Sequence, residues 1–133
     1  MEQLELFPDD GKKLVTWDEY DIMIDKVTDW VKYGMDEEVG AVYGIPRGGL
    51  PIAVSLSHRL GLPLLMNYAD KKLVAKGKKV LVVDDIADTG HTLLDFDNPS
   101  NVVVTLHYHN QSKVVPNFYV EEKGDDWIVY PWE

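Results

Sequence analysis

The sequence predicts an α/β fold, with a mostly parallel central sheet, flanking helices and a small C-terminal hood spanning residues 108–133. Three observations carry this expectation. Val80, Leu81, Val82 and Val83 form an apolar run without alternation, the pattern of a strand covered on both faces. Strand-like and helix-like segments alternate from Val39 to His107, as parallel strands require for their crossovers. The central apolar run ends in two adjacent carboxylates, Asp84 and Asp85, and then in the polar turn Asp88, Thr89, Gly90, His91, Thr92. In open α/β sheets, ligands bind in the crevice at the carboxyl ends of central strands.

Length and composition set the outer bounds. A chain of 133 residues, 45% apolar, suits a single domain over residues 1–133 with one core. It holds no cysteine, which excludes disulfides and thiolate metal sites, no leader-like start at Met1, and no apolar run of about 18 residues that would span a membrane. A soluble, cytoplasmic protein is expected. The net charge of −10 argues against a nucleic-acid partner, whose phosphates call for clustered basic residues. Against that background five lysines, Lys71, Lys72, Lys76, Lys78 and Lys79, crowd into residues 67–79. They read either as a solvated loop or as a cationic lid, mobile when empty, that closes over a polyanionic substrate.

The elements follow in order. Residues 1–13 are acidic and contain Pro8, Asp9, Asp10 and Gly11, the composition of an arm. Thr16 and Glu19 form a capping box, Tyr20, Ile24, Val27 and Val31 share one helical face, and Gly34 stops the run, predicting a helix over 17–33. Trp17 and Trp30 are expected to pack. Residues 39–45 read as a buried strand, followed by the turn Pro46, Arg47, Gly48, Gly49 and a helix from Pro51 to about Gly61. Arg59 falls late in that helix, where it suits the dipole. Residues 62–66 form the next strand. After Thr92, the residues Asp97, Asn98 and Pro99 cut the following helix to a turn or two. Further strands are expected at 101–107, 118–120 and 127–130, with His58 and His107 in structural roles.

Two segments have the chemistry of anion cradles. The Gly-containing turn 88–92 offers backbone N–H groups and the hydroxyls of Thr89 and Thr92 at a helix start. Asp84 and Asp85 beside it would repel a bare phosphate, so the same ligand must also present sugar hydroxyls or a bound Mg²⁺, which points to a sugar phosphate. The turn at Arg47 and Gly48, one βα unit earlier, adds unobstructed N–H groups and a guanidinium.

The stretch VLVVDDIADTGHT resembles the 5-phosphoribosyl-1-pyrophosphate (PRPP) motif of type I phosphoribosyltransferases, and GIPRGGLPIA is similar to the pyrophosphate loop of the same family. The ending DDWIVYPWE resembles the xanthine-guanine branch of the purine phosphoribosyltransferases. The resemblance covers about residues 39–133 and implies a Rossmann-like fold and Mg²⁺-dependent transfer of a phosphoribosyl group from PRPP to a nucleobase, foremost a 6-oxopurine, with release of pyrophosphate. It further implies that Arg47, Gly48 and Asp84, Asp85, Asp88, Thr89, Gly90, His91, Thr92 bind PRPP, that Asp84 and Asp85 face the metal, and that Asp88 takes the proton of the base. Trp127 and Ile128 would line the base pocket. Where that branch carries a purine-contacting lysine, the nearest counterpart here is His109, with Lys113 four residues on. The partners implied are PRPP, a nucleobase and further copies of the chain in a dimer or tetramer. A catalytically silent PRPP-binding module and an enzyme for a non-purine acceptor fit the same residues.

Overall fold

The computed structural model describes residues 11–74 and 76–133, so most of the acidic arm lies outside the described residues. In chain order the elements are β1 (Lys12–Leu14), α1 (Trp17–Asp29), β2 (Val39–Gly44), α2 (Gly49–Leu60), β3 (Leu64–Leu65), β4 (Lys79–Ala87), β5 (Asn101–Tyr108), β6 (Phe118–Glu122) and β7 (Trp127–Val129). Five strands form a wholly parallel sheet in the order β3-β2-β4-β5-β6, and β1 pairs in parallel with β7 in a separate two-stranded sheet.

The run at residues 80–83 lies at the centre of the sheet for the reason its composition suggests. Leu81 and Val83 enter one core with α1, α2, Val102, Val104 and Leu106, while Val80 and Val82 enter a second core with Ile45, Leu93, Val103 and Val114. Both faces are therefore covered, so alternation with polar residues would strand polar groups away from water. The strand does not stop at the carboxylates. Pairing of β4 with β2 ends at Gly44↔Val83, but pairing with β5 continues through Asp84↔Thr105 to Ala87↔Tyr108. Residues 84–87 thus belong to the sheet on one edge and are open on the other. The order of strands also reverses between β2 and β4, because α2 leads away to β3 and the chain then returns across β2, which makes this open edge the switch-point crevice.

The first core is roofed by two helices. The Thr16 capping box forms in both directions, with Glu19 N–H donating to Thr16 Oγ1 at 3.1 Å and Thr16 N–H to Glu19 Oε1 at 2.9 Å. The α-helix expected over 17–33 ends at Asp29 and passes into a π turn, Trp30–Gly34. A Cβ on Gly34 would stand 2.7 Å from Cδ1 of Trp30, whose ring stacks on Phe118 with centroids 5.0 Å apart. Trp17 meets Tyr20 edge-on and leans on Trp132, and Arg59 pairs with Asp25 of α1.

The second core has only short cover. Two 3-10 turns, Tyr68–Leu73 and Thr92–Phe96, supply Tyr68, Leu93 and Phe96, and Tyr43, Tyr68 and Phe96 form an aromatic cluster. The second turn is the shortened helix that Asp97, Asn98 and Pro99 predict. The hood expected over 108–133 is smaller than its span, since β6 is the fifth strand of the main sheet. Asn117 starts it there, donating its N–H to Val103 O at 2.8 Å and accepting from Val103 N–H at 2.7 Å. Outside the main sheet stand β7 and β1, so Lys12 and Lys13, expected to belong to the arm, lie in a strand with Leu14. No helix among the described residues is long and apolar enough to cross a membrane.

Truncating a fully buried side chain on β4 should cost most. Leu81→Ala is expected to lower stability by about 3 kcal/mol, against about 0.5 kcal/mol or less for Tyr33→Ala at an 81% exposed position, as measured by urea unfolding.

Candidate active site

Glycines set the distances at the open edge of β4. Gly49 N–H donates to Ile45 O at 2.8 Å, and a Cβ on Gly49 would stand 3.2 Å from Asp84 Cα. A Cβ on Gly48 would lie 2.7 Å from Asp85 Cγ, so the turn after β2 sits directly against the second carboxylate. The Pro46–Arg47 peptide of this turn is cis. Arg47, Gly48 and Asp85 line a cavity of about 540 Å³ with Trp132 and Glu133, and Arg47 makes no ion pair among the described residues.

The acid pair is held in electrostatic tension. Asp85 N–H donates to Asp84 Oδ1 at 2.9 Å, which anchors the first side chain beside the second. Burial, then the neighbouring charge of Asp85, pushes the Asp84 carboxyl up to about 8, and burial also raises Asp85. Among the described residues no group of three or more His, Cys, Asp or Glu side chains could hold a metal by itself.

The turn 88–92 closes the other side. Gly90 has φ +85°, and a Cβ there would stand 2.6 Å from the backbone nitrogen of Lys113; Lys113 N–H donates to Thr89 O at 2.9 Å. A cavity of about 220 Å³ results, lined by Asp84, Asp85, Asp88, Thr89, Gly90, His91 and Thr92. Because the element that follows is a five-residue 3-10 turn, the macrodipole at its start is small.

Asp88 lines this cavity and also a smaller one, about 40 Å³, formed with Ile86, Lys123, Trp127, Ile128 and Tyr130. Its Oδ1 accepts from Gln111 Nε2 at 3.0 Å and lies 3.2 Å from His109 Nδ1. In β7, Trp127 N–H donates to Gly11 O at 2.7 Å and Val129 O accepts from Val15 N–H at 2.8 Å. Strand alternation then turns the N–H and C=O of Ile128 away from β1, toward the open side. Tyr130 ties this wall to the acids. Its hydroxyl donates to Asp85 O at 3.0 Å and therefore accepts from His107 Nδ1, 2.8 Å away. His107 is buried, which pushes its pKa down, while Glu121 at 3.2 Å, itself paired with Lys13, pulls the other way.

The structure thus gathers Arg47, Gly48, Asp84, Asp85, Asp88, Thr89, Gly90, His91 and Thr92 at the ends of β2 and β4, with Trp127 and Ile128 adjoining through Asp88. His109 reaches Asp88 and is not part of the wall at Trp127. The lysines of residues 67–79 lie elsewhere: Lys71, Lys72, Lys76 and Lys78 line a cavity with Val80 and Ser100, at the start of β4 and before β5, and Lys79 pairs with Glu37. That is the sheet end opposite the acids, so the segment would have to leave this position to act as a lid. Gln111, Lys123 and Tyr130 were not foreseen. The alternation Ile128, Tyr130 carries a signal for the tyrosine; Gln111 and Lys123 have none in their own neighbourhood.

The motifs at the strand ends and the parallel sheet define the class: residues 16–133 match the phosphoribosyl transferase domain, and the chain belongs to that family. The chain is 27% identical to the xanthine-guanine phosphoribosyltransferase of Cereibacter sphaeroides over 114 residues, covering 70% of this chain and 68% of that protein. The purine phosphoribosyltransferase of Pyrococcus horikoshii superposes with a TM-score of 0.76 at 29% identity, covering 92% of this chain and 94% of that one. The xanthine-guanine-hypoxanthine phosphoribosyltransferase of Helicobacter pylori gives a TM-score of 0.71 at 18% identity, with the same coverage, and speaks to the fold.

A raised carboxyl makes the folded state hold a proton that the unfolded chain has lost, so stability falls as pH rises from about 4 to about 8. Asp84→Asn removes this burden. Thermal unfolding at pH 5 and pH 8 should show the variant gaining on the parent at both, and by on the order of 1 kcal/mol or more, a few degrees, further at pH 8 than at pH 5.

Proposed function

We propose that the protein transfers the 5-phosphoribosyl group of PRPP to a ring nitrogen of a 6-oxopurine and releases pyrophosphate. The observation that carries this reading is the position of Asp88, which belongs both to the cavity of the turn 88–92 and to the pocket of Trp127 and Ile128. A carboxylate at that junction stands where a sugar carbon and a base nitrogen would meet. The names of the Cereibacter and Pyrococcus relatives point to purines as the acceptor class.

In this mechanism the turn 88–92 holds the 5′-phosphate, while Arg47 and the N–H groups around Gly48 hold the pyrophosphate. The C1–O bond to pyrophosphate breaks, the electron pair leaves with the phosphate oxygen, and the ribosyl group passes through an oxocarbenium-like state. The base nitrogen forms the new bond to C1. Asp88 receives the proton of that nitrogen on Oδ2, since Oδ1 is taken up by Gln111 and His109. Trp127 offers its indole face to the base, and the outward peptide groups of Ile128 offer hydrogen bonds to its edge.

Mg²⁺ fits the acid pair as a shared ion. Two hard carboxylates without a third protein ligand suit a cation that completes its shell with water and substrate phosphates. Asp84 and Asp85 would hold it, and the ion would supply neutralisation of the leaving pyrophosphate.

The test is pyrophosphate release from PRPP with guanine, xanthine, hypoxanthine, adenine and orotate. Turnover with 6-oxopurines is expected, and binding of PRPP without release would replace the enzyme with a sensor. Asp88→Asn should lower kcat by about 10²-fold or more, a larger effect than any on PRPP affinity. Asp85→Asn should raise the Mg²⁺ concentration needed for half-maximal rate; full activity across the Mg²⁺ range would remove the metal role.

A further inference from the structure

The sequence places a histidine, His109, where the xanthine-guanine branch carries the cation that contacts the base. In the structure His109 is committed elsewhere. Its N–H donates to Ala87 O at 2.9 Å, which sets the residue beside the end of β4, and its Nδ1 meets the carboxylate of Asp88, the next residue but one along that strand end from Ile86. The pocket wall of Ile86, Asp88, Trp127, Ile128 and Tyr130 does contain a cation, and it is Lys123.

We propose that Lys123 is the specificity-determining cation of the base pocket, selecting acceptors that present an exocyclic oxygen, and that His109 with Gln111 is a positioning group for Asp88.

Lys123 is placed for this role from a different element. It follows β6 directly, and its N–H donates to Tyr108 O at 2.8 Å, which fixes its backbone against the end of β5. Its ammonium spends one of three donors on Asp126 O at 3.0 Å. The other two have no carboxylate partner among the described residues, in a chain of net charge −10 where acidic partners abound. An ammonium only donates. Opposite a carbonyl oxygen of a base it forms a charge-assisted hydrogen bond, and opposite an amino group it meets another donor with nothing to accept, which costs affinity.

His109 and Gln111 converge on the same oxygen, Asp88 Oδ1, which orients the carboxylate and leaves Oδ2 toward the junction of the two cavities. Loss of either donor should therefore disturb proton transfer rather than the choice of base.

The inference rests on the proposed base pocket, so binding and turnover are measured separately. Equilibrium dialysis of guanine, hypoxanthine and adenine, with PRPP and without, is done on the parent, Lys123→Met and His109→Asn, alongside steady-state kinetics. The parent should prefer the oxo bases. Lys123→Met should weaken their binding about 10-fold or more, with the oxo-to-amino ratio of kcat/KM falling toward one and kcat changing less than KM. Lys123→Arg, which keeps a cationic donor, should restore part of the ratio. His109→Asn should lower kcat and move its pH profile with the base ratio unchanged. Absence of turnover in a parent that binds oxopurines would sink the reaction and leave Lys123 to be judged on binding. An unchanged oxo preference in Lys123→Met, its collapse in His109→Asn, or no base binding by the parent would overturn the assignment.

Discussion

Two carboxylates sit side by side at the end of a central strand, in a place where neither is comfortable ionised, and the surrounding structure is arranged so that they stay there. β5 holds the backbone of residues 84–87 on one edge after β2 has stopped, so Asp84 and Asp85 cannot retreat into a loop. Gly48 closes over Asp85 with no side chain in the way, and the Tyr130 hydroxyl ties Asp85 O to the wall formed by β7. Charge would be relieved most simply by a neighbouring arginine or lysine. Among the described residues none makes an ion pair with either acid, and Arg47, across the crevice, has no ion-pair partner there either. The local arrangement is destabilising in isolation, the pattern expected at functional sites.

The chemistry of the chain is divided by distance along the sequence. Two parts of the candidate site are local: a strand, a turn and the next few residues suffice to place the groups of 84–92, and likewise those of 45–49. The cavity at Trp127 and Ile128 is assembled from far apart. Ile86 comes from β4 and Asp88 from the turn just after it, Lys123 follows β6, Trp127 and Ile128 lie in β7, and β7 in turn is held by β1. The half of the site at the ends of β2 and β4 therefore follows from short-range rules, and the half at Trp127 and Ile128 depends on tertiary packing.

That division explains what was legible in the sequence. The buried strand at 80–83, the anion-cradle turns, the capping box at Thr16 and the broken helix after Thr92 each announce themselves through propensity or steric rules acting within a few residues. The extension of β4 through its own carboxylates was not legible, because two aspartates are poor strand formers and are kept in the ladder by β5. Nor was the strand at Lys12–Leu14, whose partner is more than a hundred residues away along the chain. The lysines of residues 67–79 were read from charge alone, and charge does not say at which end of a strand a connection will lie. His109 was read for a similar reason: its position after a strand was legible, the direction of its side chain, toward Asp88, was not.

The pairing of β1 with β7 has a consequence for how the molecule opens. It joins Lys12 to Trp127 and Leu14 to Val129 through three residues on each side, a short ladder that bridges nearly the whole chain. Contacts of such sequence separation form late in folding and, when few in number, open early without disturbing the rest. Fraying there would release the backbone of Trp127 and Ile128 while the five-stranded sheet stays intact. The wall of Trp127 and Ile128 can thus loosen on its own, as a separate small cooperative unit, with the turns 45–49 and 88–92 still folded on β2 and β4.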